Sequence, residues 1–396
     1  MRITGAWKNI WHESEDVMKK VSIMLMAFLL LACSKNEEAQ KPLVCLYEPD
    51  PVTVVSFSGV GDNLIHETVY LDALTSSGSY DFTKMYEDVA DDMKKSDIAF
   101  INQETVLGGS ELGLSGYPSF NSPSEIALNL KESGFNLVNL ATNHTLDRGL
   151  SGIINELNTF SSIEDMVVDG AYMSQEAYDT IVTFEVEGIT FSFLAYTYGT
   201  NGIIPEYSYE VSYFDDEQIT RDVQRAKEIS DVVIVSAHWG DENSFVPNSF
   251  QRHYAQLFAD LGVDVVIGTH PHVIQPVEWV MGETGNQTLV VYSLGNFIGG
   301  MLTTNNAIGG MIQFDFIKND EDIYIDHVKW VPLMIHFEGN QANINAERYH
   351  YKSYKVENYT DELASKHVLN GYEGNVVSLD YIYEITHQVI DASFLE

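Results

Sequence analysis

Side chains that can bind metal ions follow five separate apolar segments of this 396-residue chain. Carboxylate oxygens and imidazole nitrogens together suit Zn, Mn or Fe. A carboxylate shared by two such ions holds them ~3.5–4 Å apart in hydrolytic sites. The pattern therefore predicts a centre for one or two divalent metal ions per chain. The candidate residues are Asp62, Glu104, Asn143, His144, His238, His270 and His272.

Each candidate also has a purely structural interpretation. Asp62 follows a glycine and fits a turn, Glu104 fits a cap, and a histidine such as His238 is often packed and hydrogen-bonded. The pair His270 and His272 is more specific, because the intervening Pro271 forces an extended entry that suits two imidazoles turned toward one centre. The joint pattern favours a metal site over a set of unrelated structural residues.

The segments before these residues predict the scaffold. Val52–Val60 is rich in β-branched residues, as in a buried strand, and Phe82–Lys95 has apolar residues at helical spacing. Ser122 and Glu125 form a capping-box pattern, which predicts the start of a helix ending at Gly134. Strands alternating with helices predict an α/β core with a mixed sheet, and ligands bind such sheets at the carboxyl ends of the strands.

The composition excludes several classes of function. The chain has 21 Lys and Arg against 58 Asp and Glu, which gives a net charge of −37. A surface this acidic repels phosphates, so no nucleic-acid partner is expected. Its only cysteines, Cys33 and Cys45, are too few for a disulfide framework or a cysteine-built metal site.

The N-terminus predicts export and a lipid anchor. Lys19 and Lys20 precede a twelve-residue apolar run, Val21–Ala32, which is shorter than the about 20 residues that span a bilayer. The run ends in Leu-Leu-Ala-Cys-Ser, which resembles a bacterial lipobox with Cys33 as the lipid attachment site. We therefore expect residues 1–33 to be a lipoprotein signal peptide, with Met18 as an alternative start, and 34–51 to be a flexible tether. A plain secretory signal is the other interpretation.

Six short motifs carry the candidate residues in order along the chain. They are SFSGVGD (56–62), FINQE (100–104), LATNHTLDRG (140–149), VSAHWGDE (235–242), DVVIGTHPHVIQP (264–276) and VVYSLGNFIGG (290–300). Over about residues 52–310 the chain resembles the CapA family of bacterial capsule synthesis, or PgsA-type poly-γ-glutamate biosynthesis, proteins. That family is similar to the calcineurin-like metallophosphoesterases. The resemblance implies an α/β fold of that type, a mixed β-sheet sandwich flanked by helices, over 52–340, with 341–396 as a C-terminal appendage.

The resemblance also implies a role for each candidate. Glu104 would bridge two metals, and His144 would be the catalytic acid beside Asn143. One departure is Leu64, which stands where a further histidine ligand is usual, so the first metal would be weakly held unless His66 compensates. The remaining implied ligands are Asp62 and His272 for the first metal, and Asn143, His238 and His270 for the second.

Three functional hypotheses follow. The first is a CapA-family lipoprotein, extracytoplasmic and anchored to the cell membrane, that acts with the capsule or poly-γ-glutamate synthesis machinery through a metal-dependent, hydrolase-type site. The second is an extracytoplasmic metallophosphoesterase that cleaves phosphate esters. The third is a non-enzymatic assembly subunit with a structural metal. Metal content and activity discriminate among them.

Overall fold

The structure is a computed structural model that describes residues 52–320 and 322–395. The predicted signal peptide, the lipid attachment site at Cys33 and the tether over 34–51 lie outside these ranges and stay predictions. Among the helices in the two ranges, none is both long and apolar enough to cross a membrane.

The larger of the two mixed sheets includes the N-terminal strand of the described residues. Its N-terminal strands run parallel to one another, and its last three strands form an antiparallel meander. In spatial order the strands are β14 (Arg348–Lys355), β13 (Ile323–Gly339), β12 (Ile308–Lys318), β1 (Thr53–Asn63), β2 (Ile98–Gln103), β3 (Leu137–Asn139) and β4 (Val167–Asp169), with β11 (Asn296–Ile298) beside β1.

The smaller sheet has a parallel centre and antiparallel edges. Its first two strands form a hairpin, whose turn residues Glu187 and Gly188 both have positive φ, as a tight hairpin turn requires. In spatial order the strands are β5 (Val182–Val186), β6 (Ile189–Thr197), β7 (Val232–His238), β8 (Val265–Thr269), β10 (Gln287–Leu294) and β9 (Ile274–Met281).

The two sheets pack face to face, and helices cover their outer faces. The rings of Phe100 and Phe193, one from each sheet, have centroids 6.2 Å apart, and those of Phe191 and Phe316 are 5.1 Å apart. The predicted α/β sandwich of mixed sheets flanked by helices is confirmed. The helices are α1 (Glu67–Asp72), α2 (Thr83–Lys95), α3 (Glu125–Glu132), α4 (Gly149–Ser161), α5 (Gln175–Tyr178), α6 (Asp216–Ile229), α7 (Ser249–Asp260), α8 (Thr304–Ala307), α9 (Asp361–Lys366) and α10 (Leu379–Val389).

The start of α3 differs from its prediction. The helix begins at Glu125, and its N-cap is Ser124, whose side chain makes no capping hydrogen bond. Ser122 does not cap the helix; its hydroxyl lies 2.8 Å from the Thr105 hydroxyl in the interior. The capping-box prediction was wrong because a buried partner from another segment competes for the Ser122 hydroxyl.

Residues after 340 contribute to the larger sheet. β14 pairs with β13, and Lys355 at its end binds Asp92 of α2 at 2.8 Å. The segment that begins at Leu379 is the helix α10. The predicted boundary between 52–340 and a C-terminal appendage over 341–396 stays a prediction.

The buried Glu156 of α4 predicts a pH dependence of stability. Its Oε1 accepts a hydrogen bond from the Leu107 N–H at 3.0 Å, and burial raises its pKa from 4.5 to about 8. Between these values the unfolded chain loses a proton that the folded protein keeps, so the free energy of unfolding falls by up to ~1.4 kcal/mol per pH unit. We expect Glu156→Gln to match the wild type below pH 4.5 and exceed it at pH 8, measured by urea unfolding. An equal stability difference at both pH values would contradict this.

Candidate metal centre

The candidate residues lie where the two sheets bring their strand ends together. Asp62 is the penultimate residue of β1 and is the register neighbour of Asn102 in β2 and of Asn296 in β11. His238 ends β7 and is paired with Thr269 at the end of β8. Sequence neighbours of these strand ends supply the other candidates, so residues from both sheets meet at one edge of the sandwich.

Glu104 is the centre of this arrangement. It follows β2, is 1% exposed, and neither of its carboxylate oxygens has a hydrogen-bond partner. Its Oε1 lies 3.9 Å from His238 Nε2 and 3.7 Å from His272 Nε2. Burial raises the pKa of Glu104 well above its usual value, although the charge of His272 opposes the shift. A buried carboxylate without donors is costly unless a cation binds it.

The first group of potential ligands is Asp62, Glu104 and His272. One ligating atom from each lies within 4.8 Å of the others. Asp62 Oδ1 accepts a hydrogen bond from Asn102 at 2.8 Å, and Asp62 Oδ2 lies 3.1 Å from His272 Nδ1. Burial lowers the pKa of His272, but the charges of Glu104 and Asp62 outweigh it and raise the pKa to about 10. The Asp62 contact orients the ring and leaves Nε2 facing Glu104.

The second group is Glu104, His238 and His270, again with one ligating atom each within 4.8 Å. His238 Nδ1 lies 2.9 Å from the Thr269 hydroxyl, and its Nε2 lies 3.0 Å from Asn143 Oδ1. His270 Nδ1 is buried without a hydrogen-bond partner. Burial lowers the pKa of His238 and His270 well below the usual value, which favours the neutral imidazole that binds metals.

These residues fit divalent metal ions. The orphaned oxygens of Glu104 and the orphaned nitrogen of His270 are donors that a cation would satisfy. Glu104 belongs to both groups, which is the arrangement expected of a carboxylate between two ions. The oxygen and nitrogen donors are those that Zn, Mn and Fe accept.

His144 lies at the rim of the centre and outside the ligand groups. Its Nδ1 is 2.7 Å from Asp147 Oδ2, and its ring packs edge-on against Phe120 at 4.7 Å between centroids. Asp147 also accepts the Phe120 N–H at 2.6 Å. Because the Asp147 carboxylate contacts Nδ1, Nε2 of His144 is available to donate a proton. This geometry suits the role as an acid, which stays a prediction.

His66 does not join the centre in the part of the chain that is described. Its Nδ1 accepts the Gly300 N–H at 3.0 Å, and it belongs to none of the ligand groups. Burial lowers its pKa to about 3. Leu64 is buried and offers no ligand atom. His66 therefore does not replace the histidine ligand that is missing at position 64.

The sequence prediction missed three residues of the centre. Asn102 holds Asp62, Thr269 contacts His238, and Glu242 forms a third ligand group with His270 and His272. Asn102 stands two residues before Glu104, so strand alternation could have indicated it. Thr269 and Glu242 depend on which strands are neighbours, and no local signal specifies that.

Comparisons with known proteins give the following similarities. The pattern of the family described as "Bacterial capsule synthesis protein PGA_cap" matches residues 56–301. The chain is 27% identical over 315 residues to "PGA biosynthesis protein CapA" of Bacillus subtilis, covering 76% of this chain and 77% of the relative. It is 28% identical over 196 residues to "Capsule biosynthesis protein CapA" of Bacillus anthracis, covering 48% and 46%.

Solved structures also resemble the chain. One is described as a novel phosphatase from Mycoplasma pneumoniae, with a TM-score of 0.47, 13% identity, and coverage of 71% of this chain and 94% of that one. Another is a hypothetical protein from Thermus thermophilus, with a TM-score of 0.44, 16% identity, and coverage of 70% and 98%.

Proposed function

Because this chain belongs to the PGA_cap family of bacterial capsule synthesis proteins, we propose that it acts at the cell surface in capsule or poly-γ-glutamate biosynthesis through a metal-dependent, hydrolase-type site. The family and its two CapA relatives support the biological role. The site supports the chemistry. Its partners are the membrane, through a lipid on Cys33, and the capsule or poly-γ-glutamate synthesis machinery.

One observation carries the chemical proposal. Glu104 is buried, lacks any hydrogen-bond donor, and belongs to two ligand groups that together include residues from both sheets. A hydrophobic core residue would be more stable at this position if the centre had no cation to bind. The arrangement is therefore best explained by selection for metal binding.

The residues of the site have two roles, metal binding and proton donation. Asp62, Glu104, Asn143, His238, His270 and His272 hold the ions. Divalent ions bound there would supply Lewis-acid stabilisation of charge on a phosphoryl or acyl oxygen. His144, held by Asp147, donates a proton to the leaving oxygen.

The test is metal content together with hydrolysis. The purified full-length wild type and His270→Ala are assayed by plasma mass spectrometry and with p-nitrophenyl phosphate and bis-p-nitrophenyl phosphate. We expect one or two ions per chain and hydrolysis in the wild type, and loss of both in the variant. His253→Ala, at an exposed histidine paired with Asp216, is the matched control. If the wild type had no metal and no activity, the metal-dependent hydrolase proposal would be wrong and the assembly-subunit hypothesis would replace it.

Lipid attachment has its own test. We expect the wild type expressed in a bacterium to incorporate labelled fatty acid and to sediment with membranes, since Cys33 is the predicted acceptor. Cys33→Ser should lose the label, whereas Cys45→Ser should keep it. Labelling that survives in Cys33→Ser would contradict the anchor, and processing without any label would indicate the plain secretory signal.

A further inference from the structure

A third group of ligating atoms lies on the solvent side of the centre. It consists of Glu242, His270 and His272, with one atom from each within 4.8 Å of the others. Glu242 is exposed, whereas both histidines are buried. No role for Glu242 follows from the two groups that share Glu104, so its position beside both histidines needs a separate explanation.

The backbone on either side of Glu242 is tied to the histidine-bearing segment. Before it, the Trp239 N–H donates to Thr269 O at 3.1 Å; after it, the Asn243 N–H donates to Pro271 O at 2.8 Å. Asn243 Oδ1 also accepts a hydrogen bond from Asn306 at 2.7 Å. The turn that carries Glu242 is thus fixed relative to His270 and His272 by the main chain, and the carboxylate contributes nothing to that fixation.

The carboxylate itself has no partner of opposite charge. Within residues 52–320 and 322–395, no ion pair or hydrogen bond to the Glu242 side chain is present. Its charge instead acts on Glu104 and His272 across the centre. Asp62 and Glu104 share one ligand group with His272, and Glu242 shares another with it; in these ranges none of the three carboxylates is paired with a Lys or Arg. Repulsion of this kind is relieved by a multivalent cation.

Each Glu104-sharing group has an asparagine amide oxygen beside one of its histidines. Asn143 Oδ1 lies 3.0 Å from His238 Nε2, and Asn296 Oδ1 lies 3.0 Å from His272 Nδ1. Among the described residues, Glu242 is the carboxylate that is grouped with one histidine from each side, His270 and His272.

We propose that Glu242 is a further protein ligand of the metal centre, which binds an ion together with His270 or His272 on the side of the centre that faces solvent. The inference rests on the metal binding in the proposed function.

The test measures metal affinity, independently of activity. The full-length chain and its Glu242→Gln variant are titrated with Zn²⁺ and Mn²⁺ in competition with a chromophoric chelator. We expect one ion to bind at least ~10–100-fold more weakly in Glu242→Gln, since losses of that size already follow mutation of groups that only orient metal ligands, while the other ion is retained. Cobalt substitution should show a changed absorption band for the weakened ion.

Two matched variants make the result specific. Asp241→Asn removes the neighbouring exposed carboxylate and should bind both ions like the wild type; His66→Ala should do the same. Equal affinities in Glu242→Gln and Asp241→Asn would overturn the inference, and so would weakening in His66→Ala alone. If the wild type itself binds no metal, the proposed function fails as well; if it binds metal and Glu242→Gln is unaffected, only this inference fails.

Discussion

Glu104→Gln is expected to lower hydrolysis by at least about 10³-fold, or ~4 kcal/mol of transition-state stabilisation. Among residues 52–320 and 322–395, Glu104 is the one carboxylate common to two ligand groups, so its loss removes a donor from both. The amide keeps the size and shape of the side chain, and the change is therefore electrostatic rather than a cavity. Initial rates on bis-p-nitrophenyl phosphate, measured with the metal content of the same samples, give the effect.

Glu104→Gln should also change the effect of added metal on the stability of the folded protein. Added metal stabilises a protein that binds it only when folded, by ~2.7 kcal/mol at 100 times the Kd. We expect Zn²⁺ or Mn²⁺ to raise the unfolding midpoint of the wild type and to leave that of Glu104→Gln unchanged. In chelator the variant should unfold no more readily than the wild type, because burial disfavours the carboxylate that it replaces.

Glu156→Gln is the matched control for Glu104→Gln. Glu156 is as buried as Glu104 but contacts the Leu107 N–H and lies outside the ligand groups. It should keep metal binding and activity. A Glu104→Gln protein that binds its full metal complement and hydrolyses at the wild-type rate would contradict the shared-carboxylate interpretation of the centre.

His144→Ala is expected to lower kcat by about 10²–10⁴-fold while the metal content stays at the wild-type level. The reason is that His144 lies outside the ligand groups but beside them, with Asp147 orienting its ring. The loss should depend on the leaving group, since p-nitrophenolate departs without a proton and an alkoxide does not. Rates on p-nitrophenyl and alkyl phosphates therefore separate a proton donor from a structural residue.

Asp147→Asn and His253→Ala complete that comparison. Asp147→Asn should show a smaller loss than His144→Ala with the same leaving-group dependence, because it disturbs the orientation of the ring without removing it. His253→Ala should behave as wild type. A His144→Ala protein with equal losses on both substrates, or with lost metal, would contradict the role as an acid.

The sequence was sufficient to predict the scaffold and most of the candidate centre. Strand and helix periodicity predicted the alternating α/β core, which the two mixed sheets confirm. Asp62, Glu104, His238 and the His270–His272 pair were indicated because each follows a buried strand, and strand ends are local features of a chain. The family was recognisable for the same reason, since its motifs are short segments at those strand ends.

Residues whose roles depend on distant neighbours were not predictable in this way. His66 stands four residues after Asp62, yet its ring binds Gly300, more than 200 residues away in sequence. Ser122 matched a capping box, yet its hydroxyl contacts Thr105. In both cases the local sequence pattern is present, but the side chain makes its hydrogen bond with a different segment of the chain.

The sequence by itself thus determined which residue types stand at the strand ends, because that depends only on periodicity along the chain. Tertiary structure alone decided which of them share a centre. Pairing of β7 with β8 brings Thr269 to His238, and the main-chain bond from Asn243 to Pro271 brings Glu242 to the histidines. Register between strands and packing between sheets are non-local, so no window of sequence contains the distances that make Glu104 common to two ligand groups.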